Sequence, residues 1–152
     1  MITNKKATYE YHILETWEAG IVLKGSEVKS IREGKVSFTD SFVRVISGEL
    51  FLHNLHIAPY TCTSQLNLDP KRPRKLLLHR REIQKLIGTL SQKGLTLIPL
   101  RIYFKQGKVK LGIGLARGKR LYDKRRKLRE ISIERETRRT LKERKRYSPH
   151  QK

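Results

Sequence analysis

Cysteine is almost absent: Cys62 stands alone in 152 residues, which excludes an intrachain disulfide and a zinc site built from several cysteines. Long apolar runs are missing too. Leu76, Leu77 and Leu78 form one of the longest, far short of the roughly 20 residues a spanning helix needs, and no apolar stretch follows the first charges as a secretory signal would require. A cytoplasmic protein with no membrane role is the expectation. Acidic residues are few, 14 Asp and Glu against 35 Lys and Arg. In residues 1–116 Glu18, Glu27, Glu33, Asp40, Glu49, Asp69 and Glu82 are dispersed, with no converging set such as a two-metal nuclease needs.

The remaining chemistry-bearing residues form no catalytic constellation. His53 and His56 lie three apart in a stretch that reads as extended, where that spacing sends side chains to opposite faces. Cys62 has no histidine near it in sequence, so nothing marks it as a nucleophile. Gly112, Gly114 and Gly118 imitate a dinucleotide fingerprint, but the last gap is wrong and no apolar helix opens there. Glycines easing a strand and a hinge explain them better. Neither an enzyme nor a cofactor is expected.

What the sequence has in excess is positive charge, a net +21 with pI ≈ 10.5. Phosphate contacts release condensed counterions, so this balance points to nucleic acid. Residues 117–152 hold 16 Lys or Arg against 5 Asp or Glu. Their apolar members, Leu121, Tyr122, Leu128, Ile131, Ile133, Leu141 and Tyr147, fall on no stripe that could face a core. Such a segment cannot offset the entropy of ordering and should be disordered alone. Residues 133–146 contain good helix formers and Glu134/Arg138 and Arg139/Glu143 pairs, so a helix there is conditional on a partner.

Residues 1–116 read as a foldable body. The stretches 11–17 and 20–25 read as two strands, and 26–33 as a short helix that Ser26 can cap and Gly34 ends. Residues 42–46 and 50–53 form a hairpin around Ser47-Gly48-Glu49, 55–60 continue extended, and 61–75 read as a basic loop. A helix over about 79–92 presents Ile83, Leu86, Ile87 and Leu90 on one face, and residues 95–104 and 108–115 make a second hairpin through Lys105-Gln106-Gly107. The expected fold is mainly β, a small antiparallel barrel like the oligonucleotide-binding fold with surface helices, plus the basic tail 117–152. Composition alone leaves open a ribosomal protein whose tail stays permanently in rRNA.

An ordered set of short segments narrows this. Asn4-Lys5-Lys6-Ala7, Glu18-Ala19-Gly20-Ile21, Gly25-Ser26-Glu27-Val28-Lys29-Ser30, Asp40-Ser41-Phe42, Arg74-Lys75-Leu76-Leu77-Leu78, Lys93-Gly94-Leu95-Thr96, Gly114-Leu115-Ala116-Arg117-Gly118-Lys119 and Tyr122-Asp123-Lys124-Arg125 together resemble small protein B, the bacterial SsrA-binding protein family. The resemblance covers about residues 4–129 and diverges beyond. It implies a protein that binds the tRNA-like part of transfer-messenger RNA and takes it to stalled ribosomes for trans-translation. It also implies that the tail enters the empty mRNA channel near the 16S rRNA decoding centre. Delivery in the manner of an alanyl-tRNA with elongation factor Tu, by a monomer carrying one RNA, is implied as well.

Residue by residue, Asn4, Glu18 and Leu77 match family positions implicated in RNA binding, with Lys5, Arg74 and Lys75 beside them. Arg74 and Lys75 suit phosphate, Leu77 an unstacked base or sugar face, and Glu18 the orientation of a neighbouring cation or a bond from a base amine or 2′-OH. Gly118, Lys119, Tyr122, Asp123, Lys124 and Arg125 match the segment implicated at the decoding centre, and Leu141 loosely matches an apolar position of the tail helix. Thr8 and Tyr9 depart from the family's usual Arg-His, and Trp17 replaces a smaller aromatic.

Overall fold

Strand alternation, apolar inward and polar outward, builds most of the body. The computed structural model describes residues 1–60, 68–92 and 94–119 together with Ser132, Ile133 and Thr137. The chain divides into two compact units, Met1–Gly118 and Lys119–Lys152. In order, the first contains β1 (Ile2–Thr3), α1 (Lys5–Glu10), β2 (Tyr11–Ile21), α2 (Gly25–Arg32), β3 (Val36–Ser37), β4 (Phe42–Ile46), β5 (Glu49–His53), β6 (His56–Ile57), β7 (Arg74–Leu77), α3 (Arg80–Leu90), β8 (Leu95–Lys105) and β9 (Lys108–Gly118). In the second, Ser132, Ile133 and Thr137 are helical, and the Thr137 hydroxyl donates to the Ile133 carbonyl at 2.8 Å. The rest of the expected 133–146 helix, Leu141 included, lies outside the described residues.

Two dipeptides set the hairpins. Ser47 and Gly48 (φ 49° and 76°) and Gln106 and Gly107 (φ 49° and 73°) each have two positive angles, the type I′ geometry whose twist matches a two-residue turn. The first joins β4 to β5 and the second joins β8 to β9. Antiparallel pairings then run β8-β4-β5-β7-β2-β9 and return from β9 to β8, a ring in the manner of a small barrel, with β1 added at β8. Leu50, Leu52, Leu76, Leu97, Leu111 and Ile113 fill the interior with 1% exposure or less. A two-stranded sheet of β3 and β6 is not paired into the ring but packs Ile57 and Val36 on the same core.

Several elements differ from expectation for identifiable reasons. The strand expected over 11–17 runs on to Ile21, because Gly20 is not a break: a Cβ there would come within 3.2 Å of Leu77 Cβ, so the glycine lets β7 approach β2; of the strand expected over 20–25 the remainder is no strand, and Gly25 opens α2. β7 falls inside and just after the expected basic loop. Pro99 sits within β8, where a register shift between Pro99 and Arg101 accommodates its missing N–H. α1 was not anticipated; six residues carry too little periodicity to show. In α3, Leu86 is buried, whereas Ile87, expected on the same face, is 39% exposed.

Candidate nucleic-acid interface

Strand parity decides which residues of the Arg-Lys-Leu-Leu-Leu run can meet a ligand. Along β7 Arg74 and Leu76 point inward, while Lys75 and Leu77 point outward, and Leu77 is 52% exposed. Leu77 pairs with Gly20 on β2, Gly20 with Lys110 on β9, and Lys110 with Tyr103 on β8. The register thus lays Leu77, Gly20, Lys110 and Tyr103 in one row across four strands. Beside that row opens a cleft of about 790 Å³, lined by Glu18, Gly20, Leu23, Val28, Leu77, His79, Glu82, Lys108 and Lys110 among others. Its wall is part apolar and part charged, with Glu18 and Glu82 beside Lys108 and Lys110; the apolar part suits a base or sugar face and the two lysines suit phosphate.

Glu18 is the centre of a charged group on this surface. Its carboxylate accepts a short hydrogen bond from the Tyr103 hydroxyl, and the Lys105 ammonium lies 3.0 and 3.1 Å from its two oxygens. Lys110 adds its charge at 3.9 Å. The bond from Tyr103, then those from Lys105, hold the Glu18 carboxyl below the ordinary range, and the same carboxylate pushes the Tyr103 phenol up. Arg101 lies over the Tyr103 ring, 5.4 Å from its centroid. Gly112, opposite Arg101, leaves room for that side chain, since a Cβ there would meet Arg101 Cγ at 3.0 Å.

Arg74, expected on phosphate, is fully buried instead. Nε donates to Glu27 at 2.9 Å, one terminal nitrogen to the Leu55 and Arg72 carbonyls at 2.6 and 3.2 Å, and the other to Pro70 at 2.9 Å and Glu27 at 2.8 Å. Arg72 bonds the same carboxylate at 3.0 and 2.5 Å. No donor is left to turn outward; the residue fastens the segment before β7 to α2. Lys75 does reach the surface, where Glu49 pairs with it at 2.5 Å.

Asn4 is likewise occupied by the fold. Its side chain accepts from the Ala7 N–H at 3.2 Å as the cap of α1 and donates to the Pro99 carbonyl at 2.9 Å. It lines a separate cleft of about 200 Å³ with Phe38, Asp40, Ser41, Thr96 and Ile98, not the one shared by Glu18 and Leu77. Lys5 is exposed on the first turn of α1. Gly118 ends β9 opposite Tyr11, and Lys119 is partly buried. Tyr122, Asp123, Lys124, Arg125 and Leu141 lie outside the described residues. Among the described residues no cluster of His, Cys, Asp or Glu could hold a metal, and His53 stacks on Phe42 with centroids 5.2 Å apart.

The family model of the SmpB protein matches residues 1–143. The chain belongs to the SmpB family. Among its relatives, the SsrA-binding protein of Persephonella marina is 59% identical over 134 residues, covering 88% of each chain. That of Aquifex aeolicus is 59% identical over 140 residues, 91% of this chain and 89% of the other. That of Carboxydothermus hydrogenoformans is 53% identical over 141 residues, 93% and 95%. A solved chain from work on tmRNA–SmpB in the bacterial ribosome aligns with TM-score 0.67 and 58% identity, covering 79% of this chain and 85% of that one. The family match spans the row on β7, β2, β9 and β8 and continues through Arg125 and Leu141.

Tyr103, Lys105 and Lys110 were not anticipated as site residues. Their signal is the outward parity of Arg101, Tyr103 and Lys105 on β8 and of Lys108 and Lys110 on β9, with buried Ile102, Val109 and Leu111 between.

Proposed function

We propose that this protein binds the tRNA-like part of transfer-messenger RNA and brings it to stalled ribosomes for trans-translation. The observation that carries the reading is identity of 53 to 59% over about nine-tenths of the chain to proteins known as SsrA-binding proteins. The likeness to the tmRNA–SmpB chain supports it, and so does a cleft that sets an exposed leucine beside Lys108 and Lys110. In this reading Lys75, Leu77 and the Glu18 group face RNA from the body, residues 1–116. The tail, 117–152, serves the ribosome, with Gly118, Lys119, Tyr122, Asp123, Lys124, Arg125 and Leu141 at the decoding centre and mRNA channel. The protein acts as a cytoplasmic monomer on one RNA, alongside elongation factor Tu, and catalyses nothing itself.

A gel shift with transfer-messenger RNA against an unrelated tRNA is the direct test. Preference for the former is expected, with log affinity falling by about 0.7 to 0.9 per phosphate for each unit of log salt. Ending the chain after Gly118 should leave binding near native and abolish tagging on stalled ribosomes. Equal affinity for both RNAs, or loss of binding on truncation, would overturn the reading or its division of labour respectively.

A further inference from the structure

The outer surface of β8 presents an aromatic ring held from two sides. Tyr103 is partly exposed, its hydroxyl is bonded to Glu18, and the Arg101 guanidinium lies 5.4 Å from its centroid. Lys105 approaches both Glu18 oxygens, and Lys110, which pairs with Tyr103 across the β8–β9 hairpin, stands 3.9 Å from one of them. Aromatic rings on such surfaces bind RNA by stacking an unpaired base, and a guanidinium adds to the stack.

We propose that Tyr103 stacks on an RNA base at the edge of the cleft and that Glu18 is its positioning residue, acting through the phenol and Lys105 rather than by touching RNA. This rests on the reading that the cleft binds transfer-messenger RNA. A bare carboxylate beside phosphates would repel them, yet Glu18 is placed among cations with both oxygens already accepting bonds. A base amine could reach only the lone pair that Oε1 keeps, with the Lys105 and Lys110 ammonium groups already beside it. Retaining them gives the carboxylate a different use: it fixes the ring at its hydroxyl end and holds Lys105 beside it, so less side-chain freedom is lost when RNA arrives.

The test is a double-mutant cycle on the full chain, using a transcript of the tRNA-like part of transfer-messenger RNA. Tyr103→Phe, which keeps the ring, and Glu18→Ala should each weaken binding by about 3- to 10-fold. The double variant should be no weaker than the worse single one, since both remove the same tether. Tyr103→Ala should weaken it further, by roughly 10-fold or more, through loss of the stack. Glu18→Ala should also flatten the salt slope as Lys105 loses its place, whereas Tyr103→Phe should not, and thermal melts should match wild type. Titration of the Tyr103 phenol, taken as the absorbance difference from Tyr103→Phe, should move to lower pH in Glu18→Ala.

Additive effects in the cycle would show that Glu18 acts independently and would overturn its positioning role. An unchanged affinity for Tyr103→Ala would overturn the stacking role. If the wild-type chain failed to prefer this RNA over an unrelated tRNA, the proposed function would fail instead, a result distinct from either.

Discussion

Replacing Arg74 by Met removes a fully buried guanidinium whose every donor is used, while keeping an unbranched apolar stem in its place. Glu27 would keep Arg72 and the Lys24 N–H, at 2.8 Å, but lose Arg74, and the Leu55 and Pro70 carbonyls would lose a donor each. Removing one partner of a buried ion pair costs about 3 to 5 kcal/mol. Because Arg72 remains on both Glu27 oxygens, the lower end applies, about 3 kcal/mol, which for a domain of this size lowers Tm by roughly 10 °C. Urea unfolding should show this as a lower midpoint with little change in slope.

Acid should add a second signature. Burial pushes the Glu27 carboxyl up, but the bonds from Arg72 and Lys24 and the charge of Arg74 outweigh it, leaving the group below its ordinary value. A depressed carboxyl stabilises the fold above its unfolded pKa, and that contribution is lost as pH falls through the folded value. Without Arg74 the depression weakens, so the part of the acid loss that Glu27 carries should be smaller in Arg74→Met and complete at higher pH than in wild type. A loss under about 0.5 kcal/mol for the single variant, or coincident acid profiles, would refute the reasoning.

Two further substitutions separate structure from contact. Leu76→Ala, at 1% exposure, should cost about 2 to 5 kcal/mol of stability in denaturant melts. Leu77→Ala, at 52% exposure, should cost under about 1 kcal/mol yet weaken RNA binding several-fold with an unchanged salt slope; unchanged affinity would remove it from the interface. Asn4→Ala removes a helix cap and a bond to Pro99, so a stability loss of about 1 to 2 kcal/mol is expected, with any loss of affinity disappearing where both proteins are fully folded. Weaker binding by a fully folded Asn4→Ala chain would instead make Asn4 a contact.

The hairpins and α3 were legible because their signals are local: a glycine-containing turn between alternating strands, and an apolar face repeated over about three helical turns. Gly20 misled because a glycine that ends a strand and one that lets another strand approach look identical until the partner, Leu77, is known. β7 was hidden by its own charge. A strand with arginine at an inward position breaks the expected alternation, and the burial is offset by Glu27 of α2 and by the Leu55, Pro70 and Arg72 carbonyls, most of them far away in sequence. The resemblance implies an RNA contact for Asn4, and its position in front of a short helix gives it a cap's work besides.

The site divides along the same line between local and distant information. The Gln106–Gly107 turn fixes Lys105 opposite Lys108, and counting outward along the two strands places Tyr103 opposite Lys110 without any structure at all. Parity then puts Tyr103 and Lys105 on one face and buries Ile102 on the other. What counting cannot supply is the edge that β2 brings to β9, because that pairing joins residues about a hundred apart, and it is this pairing that sets Glu18 against Tyr103 and Gly20 between Leu77 and Lys110. Arg74 and Lys75 make the same point from the opposite direction: adjacent cations of equal apparent fitness for phosphate are separated by one step of strand parity into a buried tether and a surface charge. The chemistry available to an RNA is therefore set less by which basic residues the chain contains than by the parity of each on its own strand and by the long-range pairings that bring β2 against β9 and β7.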